Sequence, residues 1–316
     1  MPAVTEPRQP AGMGFALRDA LPWADLAGVV RASEQAGYAA LFLPEIAGRD
    51  ALVTLGALAG ETRDLHLATG ILPIASRTTL LTAMGAATVH ERSGGRLLLG
   101  LGTGGIGRGA LDRLREEIAG LRALFAGEPV EREGEQVRLA LSPGSPVPIW
   151  VSALGPKAMR MAGETADGVL LNWCPPERVA FARDRVAEGA GAAGRDPGEV
   201  TVAVYVRAWV GSDGPAAMLA LKAAVAQYAS YPAYARQFEQ VGLGDAAAAA
   251  GAAHRARRHQ DVPQALVHAV CAVGDEARTR IDAYRAAGAD LTVVYPVPVG
   301  ESAASIEGTL SALAPG

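Results

Sequence analysis

At 316 residues the chain is long enough for two domains of about 150 each, yet one α/β barrel fills about 250 residues or more. Half of it is apolar and 20% is charged, which excludes global disorder and permits a large core. Lys and Arg number 29 against 33 Asp and Glu, so a net charge of −4 leaves no basic field to hold nucleic acid or an anionic membrane surface.

The start, MPAVTEPRQPAG, is polar and proline-rich and reads as a disordered leader over residues 1–12. GFALR at 14–18 is a short strand, followed by a helix from Trp23 to Gln35 that Gly37 ends. Tyr38 to Pro44 is a second strand, Asp50 caps a helix over ALVTLGALAGETR, and Leu65 to Gly70 is a third strand. A helix from Thr78 to Ser93 stops at Gly94-Gly95, and Arg96 to Leu101 is the fourth strand. Ala110 to Phe125 carries Leu111, Leu114, Ile118, Leu121 and Leu124 at helical steps.

Residues 128–147 contain EREGEQVRLAL, an alternating pattern that predicts a small hairpin. Strands then recur at Pro148–Ser152, Asp167–Asn172, Val200–Val210 and Asp290–Tyr295, with helices over Lys157–Glu164 and Glu177–Ala190. Residues 211–265 form a long alanine-rich helical insertion, where Tyr231, Tyr234 and Phe238 share a face that reads as packing or as a substrate lid.

Eight strands alternating with helices force parallel pairing, and runs such as LLLGL and LTVVY suit strands buried on both faces. The pattern predicts one domain over 1–316, a (β/α)8 barrel with a hairpin insertion after the fourth helix and a helical insertion after the seventh strand. A doubly wound sheet is the rival, because Gly102, Gly104 and Gly107 match G-x-G-x-x-G. That motif follows the fourth strand rather than the first, and no later acidic strand end completes a dinucleotide fingerprint.

In such a barrel, functional side chains lie after the C-terminal ends of the strands. His66, His90 and Glu91 therefore belong to the stability end. The rim holds Glu45, Arg49, Asp50, Arg77, Thr103 to Arg108, Ala153 to Lys157, Asn172, Trp173, Cys174, Glu177, Tyr205, Arg207, Trp209 and Tyr295. Asp50 reads mainly as a helix cap, and Cys174 as packing rather than a nucleophile, since no histidine is placed near it. Ser152-Ala-Leu-Gly-Pro-Lys157 ends a strand and opens a helix, so bare amides and Lys157 would cradle a phosphate. The Gly102–Gly109 loop, with Arg108, offers a second close backbone approach to the same anion. Two cysteines and five scattered histidines give no disulfide framework and no metal-ligand spacing, so no metal site is assigned. With no apolar run long enough for a membrane span, the chain reads as a soluble cytoplasmic protein. No rim histidine has a carboxylate partner and no nucleophile elbow is present, so a cofactor is expected to carry the reaction.

Several segments carry a resemblance: Gly37-Tyr38 through Leu-Phe-Leu-Pro-Glu45, Gly48-Arg-Asp-Ala51, Leu67-Ala-Thr-Gly-Ile-Leu72, Ser93-Gly-Gly-Arg-Leu-Leu-Leu-Gly-Leu-Gly-Thr-Gly104, Pro148-Ile-Trp-Val-Ser-Ala153 and Ala166-Asp-Gly-Val169. Together they resemble the bacterial-luciferase-like superfamily, most of all the reductases and dehydrogenases that use the 5-deazaflavin coenzyme F420. The resemblance implies hydride transfer between F420 and a small organic substrate, with FMN-dependent monooxygenation or a non-catalytic flavin-binding barrel as alternatives. It implies a cis peptide at Gly70–Ile71 behind the ring, Glu45 at the ring edge as the candidate catalytic group, and backbone of Gly104, Ala153, Leu154, Gly155 and Pro156 around the tail phosphate. Thr103, Lys157 and Asn172 complete the candidate coenzyme-binding set. A homodimer is the inherited expectation. Relatives acting on sugar phosphates carry a histidine and a glutamate where this chain has Ile46 and Gly105, which argues against that substrate.

Overall fold

The computed structural model describes residues 9–18, 21–132 and 134–315. The leader expected over 1–12 lies outside the described residues as far as residue 8; beyond it, Gln9 accepts a hydrogen bond from Trp150 Nε1 at 3.2 Å and Gly12 already opens a strand.

The first half runs β1 (Gly12–Ala16), α1 (Trp23–Gln35), β2 (Ala40–Leu43), α2 (Ala51–Leu58), β3 (His66–Thr69), β4 (Leu72–Pro73), α3 (Thr79–Arg92), β5 (Leu97–Gly102) and α4 (Ala110–Phe125). A hairpin of β6 (Val130–Arg132) and β7 (Glu135–Val137) follows, antiparallel and inside the predicted 128–147 segment. Then come β8 (Ile149–Ser152), α5 (Pro156–Thr165), β9 (Gly168–Asn172), α6 (Glu177–Ala192) and β10 (Thr201–Trp209). The insertion is α7 (Gly214–Ala229), α8 (Pro232–Gln240), α9 (Gly244–Arg255) and α10 (Gln264–Val270). It therefore extends past residue 265 to Val270, because Leu266, Val267 and Val270 pack under α7 and leave no exposed break there. The chain closes with β11 (Cys271–Val273), α11 (Ala277–Ala286), β12 (Leu291–Pro296) and α12 (Ser302–Ala312).

All pairings of the main sheet are parallel, in the order β1-β2-β3-β5-β8-β9-β10-β12, and β12 pairs back to β1. That ring of eight strands is the closed barrel predicted from the alternating pattern. β4 continues the third stave against β5, and β11 extends the sheet along the upper end of β10.

Strand periodicity divides the core in two. Along β10, Val202, Val204 and Val206 face the helices, whereas Ala203 and Tyr205 face the axis. The interior is filled with rings rather than left as a pore: Phe42 lies 5.8 Å from both Trp150 and Tyr205, and Tyr205 lies 5.4 Å from Tyr295.

The N-terminal end of the barrel is a fastening region, as expected for His66, His90 and Glu91. His90 Nε2 lies 2.8 Å from Ser145 Oγ, and burial holds its pKa below the usual histidine value. Arg96, the first residue after the Ser93-Gly-Gly turn, spreads its guanidinium over the carbonyls of Ser93, Leu65, Ala59 and Thr62 and the Thr62 hydroxyl at 2.7–3.2 Å. Beside it, Glu34 Oε1 accepts the amides of Arg63, Asp64 and Leu65 at 2.8–2.9 Å. Burial alone would raise the Glu34 pKa; those amides and the Arg96 charge outweigh it and leave it lowered.

Candidate active site at the barrel mouth

The floor of the mouth is built on the third stave. β3 ends at Thr69, the Gly70–Ile71 peptide is cis, as the resemblance implies, and β4 then resumes pairing with β5. Tyr205 donates from its hydroxyl to the Gly70 carbonyl at 3.1 Å, and a Cβ on Gly70 would lie 1.8 Å from that hydroxyl. Ile71 is seated by a second glycine, since a Cβ on Gly102 would meet Ile71 Cδ1 at 2.5 Å. Gly70 and Ile71 are thus closely packed, Gly70 against Tyr205 and Ile71 against Gly102. Burial raises the Tyr205 pKa well above the ordinary tyrosine value, so this hydroxyl is a permanent donor.

Above the floor stands a polar and aromatic wall. Asn172 accepts from Arg207 Nη1 at 2.6 Å and donates to Tyr234 Oη at 2.8 Å. Arg207 Cζ lies 4.0 Å from the Tyr295 ring centroid and 4.5 Å from that of Trp173. Trp173 occupies left-handed backbone at φ 51°, with Gln237 Nε2 donating to the carbonyls of Asn172 and Trp173 at 2.9 and 2.8 Å. Helix α8 therefore roofs the mouth. The aromatic stripe within it divides: Phe238 is fully buried, Tyr234 reaches the Asn172 amide, and Tyr231 is 45% exposed.

The two glycine-rich loops meet at one side of the rim. Gly107 and Gly109, at the entry to α4, and Lys157 and Arg160, on the first turns of α5, line one cavity of about 490 Å³. Gly104 is held in positive φ of 61° against Pro73, where a Cβ would clash at 2.6 Å. Gly155 caps α5, Pro156 takes the first helical position, and nothing stands within 4 Å of where a Gly155 Cβ would be. Within the expected cradle the Ala153 amide is already spent on Leu170 and Pro156 has none, which leaves the Leu154 and Gly155 amides and Lys157 to meet an anion. Thr103 lies half-buried in the same loop, while Arg108 is exposed and is not among the residues lining that cavity.

Glu45 sits beside the floor, its amide donating to Ile71 O at 3.2 Å. Its carboxylate takes Arg77 Nη1 at 3.1 Å on both oxygens and the Ala51 amide at 3.0 Å. Arg77 also pairs with Asp50, which caps α2 by accepting the Val53 amide at 2.9 Å. This network ties the β2–α2 loop to the loop before α3. Burial alone would raise the Asp50 pKa; the Val53 amide and Arg77 outweigh it and leave it lowered.

Cys174 is fully buried, and burial pushes its thiol up to about 12, so it holds no thiolate at neutral pH. The reading of Cys174 as packing agrees with this. Sequence reasoning missed Arg178, the arginine that braces the turn between β8 and α5. It is 3% exposed, and its Nη2 donates to Leu154 O at 2.8 Å and to Gln240 Oε1 at 2.7 Å. On an amphipathic helix such an arginine looks like any surface charge, and only a fold places a carbonyl beneath it.

Among the described residues no helix is long and apolar enough to cross a membrane, and no group of three or more His, Cys, Asp or Glu could hold a metal.

The sequence profile of the luciferase-like monooxygenase family matches residues 5–291. A 5,10-methylenetetrahydromethanopterin reductase of Methanolobus tindarius is 35% identical over 220 residues, covering 65% of this chain and 67% of its own. A Mycobacterium tuberculosis protein provisionally named a coenzyme F420-dependent oxidoreductase is 30% identical, covering 69% of this chain and 73% of its own. The chain spans 64% and 56% of the corresponding reductases of Archaeoglobus fulgidus and Methanopyrus kandleri. Two solved structures share the fold. The F420-dependent tetrahydromethanopterin reductase from Methanopyrus kandleri superposes with a TM-score of 0.75 at 24% identity, covering 94% of this chain and 96% of its own. An F420-dependent secondary alcohol dehydrogenase in complex with an F420–acetone adduct gives 0.76 at 17% identity, covering 96% and 99%. With this closed barrel, its cis-peptide floor and a profile match over most of its length, the chain belongs to the luciferase-like monooxygenase family.

Proposed function

We propose that this protein is a cytoplasmic oxidoreductase that moves a hydride between coenzyme F420 and a small organic substrate across the barrel mouth. The observation that carries the reading is the pairing of an anion seat with an aromatic mouth that has no acid–base dyad of its own. A relative at 30% identity named as a coenzyme F420-dependent oxidoreductase, and one at 35% named as a 5,10-methylenetetrahydromethanopterin reductase, support it.

The residues fit the coenzyme. The amides of Leu154 and Gly155 with Lys157 would hold the tail phosphate, with Thr103 and Gly104 on the facing loop. The open space around Gly105, Gly107 and Gly109, where a Cβ would touch nothing within 4 Å, admits close backbone approach. Gly70 and Ile71 would support the ring from beneath, and Asn172 would border it. When bound, the coenzyme supplies hydride chemistry at its C5 position. The chain's own contributions are orientation and exclusion of water by the roof of α8. Glu45, bound on both oxygens by Arg77, serves in this reading to fix the loop at the ring edge.

Titration of the purified protein with F420 and with FMN, followed by fluorescence, tests the proposal. F420 is expected to bind; tight FMN binding without F420 binding would point to a flavin monooxygenase instead. Bound F420 that a panel of substrates never reduces or oxidises would leave a pure binder. Gly155→Asp should weaken F420 at least tenfold, because it sets a carboxylate against the phosphate. Unchanged affinity would remove this loop from the site.

The same reading includes a homodimer. Val53, Leu81 and Met84 are 72%, 50% and 51% exposed on α2 and α3, beside a groove of about 1100 Å³ floored by Gly56 and Gly85. An apolar patch of this kind on a water-exposed helix pair suits a second copy. Light scattering should find a dimer for the wild type and a monomer for Leu81→Asp. A monomeric wild type contradicts it.

A further inference from the structure

Among the described residues, half-buried Arg96 and buried Arg178 and Arg207 form no ion pair with a carboxylate, and they are not equally satisfied. Arg96 finds five oxygen acceptors and Arg178 finds two. Arg207 finds one, Asn172 Oδ1, and among the described residues it makes no ion pair. Yet it is only 6% exposed. A guanidinium carries five N–H donors, and taking its charge out of water is costly unless those donors and the charge are met.

Strand geometry sets its direction. Ala203 and Tyr205 face the barrel axis, so Arg207, two residues beyond Tyr205, faces it too, one layer higher and at the level of the mouth. The surrounding rings of Tyr295 and Trp173, at 4.0 and 4.5 Å, give their faces to the cation and offset part of its lost hydration. Trp173 Nε1, in the same wall, is itself buried with no hydrogen-bond partner. Arg207, with its one bond to Asn172, and Trp173 thus turn N–H donors toward the mouth.

We propose that Arg207 receives the carboxylate of the second substrate, so that the substrates of this enzyme are small organic monocarboxylates. This rests on the reading of the mouth as the place where the second substrate meets the coenzyme. One planar fork matches one carboxylate in charge and in shape. A phosphate dianion would need a second cation, and the wall offers none. Asn172, by holding Nη1, fixes the plane of the fork and leaves its other edge to the ligand. An anionic oxygen on the coenzyme ring would present similar chemistry, and the experiment separates the two sources.

Benzoate, cyclohexanecarboxylate and butyrate are titrated against the protein without coenzyme, each beside its neutral amide, by tryptophan fluorescence and calorimetry. At least one acid is expected to bind tenfold or more tightly than its amide. Arg207→Met should weaken that acid at least tenfold, about 1.4 kcal/mol, and leave the amide unchanged. Arg207→Lys, which keeps the charge and guards against misfolding of the methionine variant, should restore part of the preference. In the second arm, oxidised and reduced F420 should bind wild type and Arg207→Met within twofold of each other. No acid preference in the wild type overturns the proposal, and so does an acid preference that survives Arg207→Met. A tenfold loss confined to reduced F420 assigns the cation to the ring and also overturns it. Because the acid titrations need no coenzyme, failure of F420 to bind would strike the hydride-transfer reading and leave this measurement intact.

Discussion

Arg96→Met is expected to destabilise the fold by about 2–3 kcal/mol, because a half-buried guanidinium that meets five acceptors is lost. The methionine keeps most of the stem's apolar contact, so the loss isolates the guanidinium. That group joins the last turn of α2, the loop before β3 and the turn after α3 at the foot of β5. Without it, the Thr62 and Leu65 carbonyls lose their donor, and Glu34 loses the nearby charge that helps hold it ionised. Urea unfolding should show a lower midpoint with an unchanged slope. Arg96→Lys should recover less than half of the loss, because one ammonium cannot span three loops. A midpoint within the error of wild type would show that these hydrogen bonds are replaced by water.

The second large effect is expected at the contact of α5 with α6. A Cβ on Gly189 would stand 1.9 Å from the Arg160 carbonyl oxygen, and one on Gly163 would stand 2.1 Å from that of Val186. These obstacles are backbone, which cannot rotate aside. Gly189→Ala should therefore cost about 3 kcal/mol, at the upper end for overpacking. Gly191→Ala is the control in the same helix. Nothing lies within 4 Å of its added methyl, and alanine's helix propensity should stabilise by up to about 1 kcal/mol. Since α5 carries Gly155 and Lys157 at its start, Gly189→Ala should also weaken F420. Melting temperature and coenzyme titration on the two variants check both statements, and equal behaviour of the two alanines would refute the close-contact account.

The barrel was legible because its strands are short apolar runs spaced by amphipathic helices, and such runs have few other places to go. The Leu97–Leu101 and Leu291–Tyr295 segments needed no tertiary information. The small elements were not legible: β4 is two residues long and β11 three, and each exists only because a neighbouring strand offers free backbone groups. The end of the insertion, expected at 265, lies at Val270, because the burial of Leu266, Val267 and Val270 in its core is a tertiary contact. The glycine loops announced themselves through positions that need positive φ or close approach. What each side chain does in the site was less visible. Sequence put Glu45 at the rim, but its partner Arg77 lies 32 residues away and only folding brings them together. Arg207 was placed on the seventh strand, whereas its shortage of acceptors is a property of the assembled wall.

Arg178 links two parts of the molecule that have separate duties. A single nitrogen, Nη2, holds both the Leu154 carbonyl in the anion seat and the Gln240 side chain at the end of α8. In the function proposed above, the turn that would seat the coenzyme tail and the helix over the barrel mouth therefore share one rivet. On that reading, separating Gln240 from Arg178 would free a donor beside Leu154, and displacing Leu154 would loosen the hold on Gln240, so entry of one ligand would be felt at the place of the other.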